Sequence, residues 1–404
     1  MKILHTADWH LGKRLYDQSR IEEQRLVLKE IVEIAAREEV DAIVVAGDLY
    51  DSFNPPNEAI ELFYKTLHQL AANGERAVIA IAGNHDSAER IEAVDPLARA
   101  CGIILLGYPN SKVEAFSLNT GLAITQSTSG FIELTLPKQH HPLRILTTPY
   151  ANEARLRAFL GTEDSEESLR QLLQTQWEAL TNQFCDHKGV NLLVSHLLMM
   201  KEGGKKPEEP EDERHILHIG GAQAIFTSNI PKQIQYTALG HLHRHHFVSG
   251  HPNQVAYSGS ILEYSFSETN QQKYVLIVEA EPQQEVVVKK VPITQGKRLV
   301  RKKFEEVDEA MNWLAANQDV YVELTVVSDD YLEAAIKKQF QQLHAGIMAI
   351  IPEVKNAASV VGGRQKVDLS QNRETLFKEY FQYKTGQEVS EEMLKLFQEI
   401  INAD

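Results

Sequence analysis

Five short apolar runs in this sequence end in side chains that bind metal ions well. The runs are rich in aliphatic and β-branched residues and are bounded by turn formers, a pattern typical of buried strands. Because they are apolar throughout, we expect strands covered on both faces in a layered α/β sheet, where functional side chains gather at the strand ends. The five stretches are KILHTADWH, AIVVAGDLYD, AVIAIAGNHD, NLLVSH and YTALGHLH.

Composition indicates a globular chain of more than one domain. At roughly 150 residues per domain, 404 residues predict two to three domains. No apolar run approaches the roughly 18 residues that span a bilayer, and the chain starts directly with a strand, so we predict a cytoplasmic protein without a membrane segment or signal peptide. Cys101 and Cys185 have no metal-type spacing and are interpreted as buried thiols.

The charge distribution leaves two interpretations open. A net charge of −15 argues against a protein coated with cations for nucleic-acid binding. One run, KKVPITQGKRLVRKK at 289–303, is nevertheless basic and contains no acidic residue. It is either a solvated strand-and-loop face or a local phosphate-binding surface.

Helical and strand patterns alternate up to about residue 295, after which the pattern restarts. A second α/β pattern over 307–351 predicts a small α+β cap. Two short amphipathic helices follow a linker, and helices this short must dock on something. The helices predicted before the cap cover 21–37, 58–72, 93–99 and 166–184, and the charged segment 201–214 is predicted to be a mobile loop. The apolar residues of the terminal helices are Leu376, Phe377, Tyr380 and Phe381, then Met393, Leu394, Leu396, Phe397, Ile400 and Ile401.

Two pairs of ligand-type residues are spaced two apart, Asp8 with His10 and His241 with His243. On extended backbone, positions i and i+2 project to the same side, so each pair can bind as a claw. Imidazole and carboxylate together suit Mn²⁺, Fe or Zn²⁺ better than Ca²⁺ or Mg²⁺.

Three further strand ends complete a set of seven candidate ligands. They contribute Asp48, Asn84 and His196. Seven ligands exceed one tetrahedral site and fit two ions about 3.5 to 4 Å apart that share one carboxylate. A lone Asp, Asn or His at a strand end is more often a turn, a cap or a surface residue, but five such ends together make that explanation weak.

Several nearby residues are interpreted as structural. They are Asp86 as an orienting or capping residue, Trp9 as packing, His5 as a core or supporting residue, and His245 and His246 as loop residues.

The order of these motifs resembles a known family. The segments DWH at 8–10, GDLYD at 47–51, GNHD at 83–86, SH at 195–196 and GHLH at 240–243 are similar to the five signature motifs of the calcineurin-like metallophosphoesterases. With the run YSGSILEYSFSE, the cap and the terminal helices, the whole chain resembles the SbcD family of bacterial DNA-repair nuclease subunits. The resemblance implies a layered β-sheet sandwich flanked by helices, with a small α+β cap domain and a C-terminal helix pair.

The resemblance also implies a binuclear centre with Asp48 as the bridging ligand. It implies two Mn²⁺ ions per subunit, with Mg²⁺ or another divalent ion as an alternative. The first ion would be held by Asp8, His10, Asp48 and His243, and the second by Asp48, Asn84, His196 and His241. His85, next to Asn84, would protonate the leaving oxygen or stabilise the phosphate.

The implied function is a manganese-dependent DNA endonuclease and 3′–5′ exonuclease that processes hairpins and DNA ends. The implied partners are DNA, an SbcC-type coiled-coil ATPase and a second copy of this chain within a heterotetramer. On this interpretation, residues 1–294 form the nuclease domain, 295–355 a DNA-binding cap, and 356–404 a linker and the helices that grip the ATPase. One departure is Asp51, since archaeal relatives have a histidine there.

Two alternatives keep the same metal core. A small-molecule phosphoesterase would not need the cap, the basic run or the terminal helices. A non-catalytic scaffold that clamps an ATPase onto DNA would be expected to have lost at least one ligand motif, and this sequence has all five.

Overall fold

A computed structural model describes residues 1–156, 165–205, 224–328, 332, 334–354, 375–378, 380, 381, 389, 393, 394 and 397. The helices bounded before the terminal stretch are α1 Ile21–Arg37, α2 Asn57–Ala71, α3 Ala88–Ala93, α4 Asp95–Arg99, α5 Glu153–Leu156, α6 Ser165–Phe184, α7 Val307–Ala316 and α8 Ala334–Leu343. Among the described residues, none of the helices combines the length and the apolar character that crossing a bilayer requires.

The strands of the described ranges fall into two large sheets and three small ones. Numbered along the chain they are β1 Lys2–Thr6, β2 Arg14–Leu15, β3 Gln18–Ser19, β4 Ala42–Ala46, β5 Ala77–Ile81, β6 Ile103–Leu106, β7 Ala123–Thr128, β8 Phe131–Thr135, β9 Leu143–Thr148, β10 Val190–His196, β11 Met199–Met200, β12 Ile225–Phe226, β13 Tyr236–Gly240, β14 His246–Phe247, β15 Gln254–Tyr257, β16 Tyr274–Glu279, β17 Val287–Pro292, β18 Arg298–Phe304, β19 Val320–Ser328 and β20 Ile347–Val354.

Parallel strands form the centre of both large sheets. The six-stranded sheet has the order β17-β16-β1-β4-β5-β6, and the seven-stranded sheet has the order β14-β15-β13-β10-β9-β8-β7. In the first sheet β1, β4, β5 and β6 are parallel, and in the second β9, β10, β13 and β15 are parallel. The carboxyl ends of each parallel set therefore lie at one edge, together with the loops that follow them.

The two large sheets pack face to face, with helices on their outer faces. On β1, Ile3 faces the core between the sheets, whereas Leu4 faces the helices α1 and α2. Helix α6 covers the outer face of the seven-stranded sheet through Leu173 and Trp177. Both faces of the central strands are thus buried, which explains the continuous apolar runs. The predicted layered sandwich flanked by helices is confirmed.

Most helix boundaries lie within a residue of their prediction. Helix α1 matches 21–37, and α2 begins and ends one residue before the predicted 58–72, because Ala72 adopts a left-handed backbone with φ of 47°. The prediction of one helix at 93–99 is wrong. Pro96 lies in the first turn of α4, where its missing N–H and fixed φ favour a new start, so two short helices form instead.

A third sheet forms a small unit with a core of its own. Its strands β18, β19 and β20 are parallel and are joined by α7 and α8. Leu314, Leu324 and Phe340 are buried in its core. The first strand comes from the second half of the basic run.

Most cations of the basic run 289–303 have partners on the chain. Lys290 and Lys302 lie over the rings of Tyr274 and Trp313. Three others form ion pairs, Lys289 with Glu38, Arg301 with Glu323 and Lys303 with Glu353. Exposed ion pairs add little stability, but they neutralise part of the local charge. For these five cations the structure favours the solvated strand face over a phosphate-binding surface.

Several predicted segments lie outside the described residues. They are most of the charged loop 201–214, the linker 355–365, and parts of the terminal helices, including Leu396, Ile400 and Ile401. In the described part of the terminal helices, the rings of Phe377 and Phe397 stack with centroids 3.9 Å apart. Phe381 lies 6.1 Å from Phe377. The two amphipathic segments therefore contact each other through aromatic side chains.

Candidate metal centre

The loops after five parallel strands bring the seven predicted ligands to one buried cluster. Backbone hydrogen bonds join the first two loops, from the Asp8 N–H to Gly47 O at 3.0 Å and from the His10 N–H to Asp48 O at 2.9 Å. The cluster contains Asp8 and His10 after β1, Asp48 after β4, Asn84 after β5, His196 at the end of β10, and His241 and His243 after β13.

The prediction that the claws lie on extended backbone is wrong. Strand β1 ends at Thr6, and the next residues turn, with φ of 51° at Asp8 and 43° at His10. Asp48 and His241 also have positive φ, at 47° and 103°. Such backbone costs on the order of 1–3 kcal/mol for a residue with a Cβ atom. The chain therefore concentrates backbone strain at this cluster, because each loop must turn directly after its strand.

His10 and His243 form the first half of the cluster. Their Nε2 atoms are 3.0 Å apart. Two nitrogens that each lie about 2.1 Å from one ion, roughly at a right angle, would be about 3 Å apart. The two imidazoles thus have the spacing of ligands on a single ion.

Asn84, His196 and His241 form the second half. Asn84 Oδ1 lies 2.9 Å from His196 Nε2 and 3.2 Å from His241 Nδ1. His196 Nδ1 lies 2.8 Å from Ala46 O. A carbonyl oxygen only accepts, so Nδ1 carries the proton and Nε2 faces the Asn84 oxygen. That contact needs either a second proton or a cation between the two atoms.

Asp48 lies between the two halves. Its Oδ2 is 3.5 Å from His10 Nε2 and 3.3 Å from His196 Nε2. Within the described part of the chain, Asp8 Oδ2 and Asp48 Oδ2 are buried and accept no hydrogen bond. Buried carboxylate oxygens without donors are costly, and a cation beside each would remove that cost. The mixed set of carboxylate, amide and imidazole groups fits two ions of the Mn²⁺, Fe or Zn²⁺ type.

Burial and neighbouring charges shift the pKa values of the cluster in opposite directions. Burial raises the pKa of the Asp8 carboxyl to about 7, although His196 and His243 partly offset this. Burial lowers the pKa of His196, but the charge of Asp48 outweighs it and raises the pKa to about 9. Burial also brings the pKa of His10 well below its usual value. Protons and metal ions therefore compete for this cluster.

His85 lies beside the cluster. Its ring centroid is 4.7 Å from that of His10, and the two rings are nearly perpendicular. Its Nδ1 donates to Asp51 O at 2.9 Å, so Nε2 is the ring nitrogen that can exchange a proton. The His85 backbone N–H donates to Asp48 Oδ1 at 3.0 Å. The side chain and the backbone of this residue thus contact different parts of the site.

Two glycines permit the close approach of the loops. A Cβ atom at Gly47 would lie 2.1 Å from His196 Nδ1, and φ at Gly47 is 93°. A Cβ atom at Gly83 would lie 2.0 Å from Asp48 Oδ1. Any side chain at either position would displace a predicted ligand, so the cluster requires glycine there.

Asp86 fixes two of the loops to each other. Its carboxylate accepts hydrogen bonds from the backbone N–H groups of Leu49, Tyr50 and Gly83 at 2.8 to 3.0 Å. This agrees with its interpretation as an orienting residue. Arg155 donates to the carbonyls of Gly83 and Asp86 at 2.8 and 2.6 Å. Sequence reasoning missed Arg155, because it lies on α5, far from all five motifs.

A buried carboxylate and a buried ammonium group support His243. The His243 Nδ1 and Glu268 Oε1 atoms are 3.0 Å apart, and Lys273 Nζ donates to Glu268 Oε2 at 2.5 Å. Burial raises the pKa of Glu268, but Lys273 and His243 outweigh it and lower the pKa to about 2. Neither residue was predicted. The available signal was the position of Glu268 at the end of the run YSGSILEYSFSE.

A cavity of about 430 Å³ opens beside the cluster, between residues 1–294, here called the body, and the third sheet. Its lining includes Lys13, Tyr16 and Asp51 from the body and Arg301 from β18. Lys13 Nζ donates to Asp51 Oδ1 at 2.9 Å, and Asp51 Oδ1 lies 3.7 Å from His10 Nδ1. Asp51 therefore links the cavity to the cluster.

The residues interpreted as structural lie outside the cluster. His5 contacts the Tyr236 hydroxyl at 2.9 Å, and Trp9 packs edge-on against Phe63. His245 Nδ1 donates to Tyr257 O at 2.7 Å. The prediction that His246 is a loop residue is wrong, because His246 begins strand β14 and its ring stacks on the ring of Tyr257.

The family of the chain follows from comparison with known sequences. A sequence model described as calcineurin-like phosphoesterase matches residues 1–244, which is more than half of the chain. The chain belongs to the calcineurin-like phosphoesterase family. The predicted enzyme class, a metal-dependent phosphoesterase, is thereby confirmed.

Two curated relatives narrow this assignment. The SbcD component of the nuclease SbcCD from Bacillus subtilis (strain 168) is 34% identical, over 99% of this chain and 97% of the relative. The protein of the same name from Staphylococcus epidermidis is 32% identical, over 70% of this chain and 67% of the relative. These matches confirm the resemblance to the SbcD family. A solved dimetal phosphatase from Danio rerio aligns with 73% of this chain and 99% of its own, at 13% identity and a TM-score of 0.42.

Proposed function

We propose that this chain is the nuclease subunit of a complex that processes DNA ends and hairpins. It would hydrolyse DNA phosphodiesters as an endonuclease and as a 3′–5′ exonuclease. The observation that carries the proposal is the division of the predicted ligands into two groups with Asp48 between them. Membership of the phosphoesterase family and the name of the relatives support it.

The proposed ligands of the two ions follow this division, with Mn²⁺ as the working metal. When bound, the ions would lower the pKa of a water molecule and neutralise charge on the phosphate oxygens during in-line attack. One ion would be held by Asp8, His10, Asp48 and His243, and the other by Asp48, Asn84, His196 and His241.

His85 is the proposed general acid. Its Nδ1 is occupied by the hydrogen bond to Asp51 O, which fixes the ring and leaves proton exchange to Nε2. The leaving 3′ or 5′ oxygen of DNA is a poor leaving group unless it is protonated. Hydrolysis by this route needs no covalent intermediate on the enzyme.

The cavity beside the cluster favours the proposal that the substrate is larger than a small phosphodiester. Body residues Lys13 and Tyr16 and cap residue Arg301 line it together. A ligand that occupied it would contact the proposed nuclease domain, residues 1–294, and the proposed DNA-binding cap, residues 295–355. Tyr16 is 57% exposed, so its ring is available for stacking with a base.

The proposed ATPase-binding element is the terminal helix pair of residues 356–404. The stacked rings of Phe377 and Phe397 would hold the two helices as one unit. Such a unit could grip the coiled coil of an SbcC-type ATPase by helix-to-helix packing. We further propose that two copies of this chain assemble with the ATPase in a heterotetramer, as the SbcCD name of the relatives suggests.

The test compares two substrates in the presence of Mn²⁺. The purified chain is incubated with hairpin DNA and, separately, with a nitrophenyl phosphodiester, and the products are followed by gel electrophoresis and by absorbance. Cleavage of both substrates, with a metal-chelated sample as the control, is the expected result. Cleavage of the nitrophenyl substrate alone would indicate a small-molecule phosphodiesterase, and cleavage of neither would indicate a scaffold.

A further inference from the structure

The support of His243 differs from that of His196. The Nδ1 atom of His243 meets a buried carboxylate, Glu268 Oε1, at 3.0 Å. The Nδ1 atom of His196 meets a neutral backbone carbonyl, Ala46 O, at 2.8 Å. One predicted ligand is therefore supported by a charged acceptor and the other by a neutral one.

Lys273 fixes both Glu268 and the backbone of His243. Its Nζ donates to Glu268 Oε2 at 2.5 Å, to Ser260 Oγ at 2.9 Å and to His243 O at 2.9 Å. Glu268 is 3% exposed and Lys273 is 7% exposed. The carboxylate thus contacts the imidazole of His243, and the ammonium group holds the main chain of the same residue.

The same segment also supports His10. The Tyr264 N–H contacts Glu268 Oε1 at 3.4 Å, and the Tyr264 hydroxyl accepts a hydrogen bond from Gln24 Nε2 at 3.1 Å. Gln24 Nε2 also donates to His10 O at 2.8 Å. Residues 258–273, the supporting segment, therefore contact His243 through Glu268 and His10 through Gln24 and through the ring of Tyr264, whose centroid lies 5.5 Å from that of His10.

A buried ion pair is weak as a device for stability, because desolvation offsets its attraction. A carboxylate that accepts the N–H of a ligating histidine is effective in another way, since it fixes the tautomer and raises the basicity of the other nitrogen. Glu268 and Lys273 have the geometry to fix the tautomer of His243 and to raise the basicity of its Nε2 atom. On the ligand assignment proposed above, we infer that Glu268 and Lys273 are positioning residues that set the affinity of the ion held by His10 and His243.

The test measures metal binding rather than turnover. Mn²⁺ titrations of the parent and of Glu268→Gln are followed by calorimetry and by electron paramagnetic resonance. Gln keeps an oxygen toward His243 Nδ1 but lacks the charge. We expect one of two ions to bind about 10- to 100-fold more weakly, the usual cost of removing such a partner, and the other to bind as in the parent.

A second variant is needed in case the first does not fold. In the single variant Lys273 is left as an unpaired buried cation, so the double variant Glu268→Gln with Lys273→Met removes both charges. It should fold and show the same weakening of one ion. Far-UV circular dichroism of the metal-free proteins checks the fold in each case.

Glu133→Gln is the matched control. Glu133 pairs with buried Arg144 at 2.7 Å, on the adjacent strands β8 and β9 of the seven-stranded sheet. The control should lose stability and keep both ion affinities. Parent affinities for both ions in the folded Glu268 variants would overturn the inference, whereas a parent that binds fewer than two ions would overturn the proposed centre itself.

Discussion

Replacing Asp48 by Asn tests whether two ions share this carboxylate. Oδ2 faces His10 Nε2 at 3.5 Å and His196 Nε2 at 3.3 Å, so it reaches predicted ligands of both halves. Asn has nearly the same shape, and its oxygen can still accept the His85 N–H that Asp48 Oδ1 accepts now. The substitution therefore removes one charge and places an amide NH₂ group, which donates hydrogen bonds and does not bind a metal ion, where Oδ2 now lies.

Removing that charge should greatly weaken the binding of at least one ion. A unit charge and a divalent ion about 4 Å apart attract each other by about 8 kcal/mol at an effective dielectric constant of 20. The cost of burying the carboxylate offsets part of this attraction. We therefore expect a net loss of about 4 kcal/mol for at least one ion, which is roughly a thousandfold in affinity, and loss of nearly all hydrolysis.

Calorimetric Mn²⁺ titration and cleavage of hairpin DNA measure the two effects, and circular dichroism of the metal-free protein checks the fold. Asp95→Asn is the matched control, since Asp95 also accepts a backbone N–H, from Leu105 at 3.2 Å, and pairs with Arg99. The control should bind both ions as the parent does. A folded Asp48→Asn protein that binds two ions with parent affinity and cleaves at the parent rate would refute the shared carboxylate.

Three further predictions concern the acid, the terminal helices and the core. His85→Gln should keep metal binding and slow DNA cleavage on the order of 10²- to 10⁴-fold, the scale of general acid catalysis. A nitrophenyl phosphodiester, whose leaving group needs no proton, should largely restore its rate, and equal defects on both substrates would argue against the acid role. Deletion of residues 370–404 should leave cleavage of simple substrates intact and abolish binding to the ATPase in a pull-down; unchanged binding would exclude the helices as the contact. Burial lowers the pKa of His5 to about 3, from 6.5 in the unfolded chain. The unfolded state therefore binds a proton first as the pH falls, and stability is lost between about pH 6.5 and 3. Between pH 7.5 and 5 this residue should reduce the free energy of unfolding by about 2 kcal/mol, which urea titration of the parent and His5→Gln can measure, and an identical pH slope in both proteins would contradict it.

The sequence predicted the convergence of the strand ends because parallel strands share an edge. Five apolar runs with polar ends identify the loops, and the runs themselves indicate burial on both faces. The backbone conformation at these strand ends was harder to predict from the sequence. Asp8 and His10 turn with positive φ although neither is glycine, and Asp and His occur both in turns and on extended backbone, so their residue types alone do not fix the conformation. The loops impose that conformation on one another through hydrogen bonds such as Asp8 N–H to Gly47 O.

Supporting residues were harder to predict than the candidate ligands. Arg155 contacts Gly83, and Gln24 contacts Tyr264, across long stretches of chain, and both use common side chains with no diagnostic spacing. Candidate ligands have distinctive chemistry and lie at strand ends, whereas supporting residues are defined by what they touch. Their identification therefore depends on the packing of the two sheets, which periodicity alone does not give.

The turn GNHD shows how one short segment can serve several purposes. Gly83 has no side chain, which leaves room for Asp48, and Asp86 ties the turn to the loop that carries Asp48. Between them, the Asn84 oxygen lies within the cluster, and the next residue, His85, contacts Asp51 O instead. Neighbouring side chains diverge at a turn, so the proposed metal ligand and the proposed acid can be adjacent in sequence and face different atoms of the substrate. For this reason substitutions at positions 84 and 85 should have separable effects, on metal binding at the first and on the protonation step at the second.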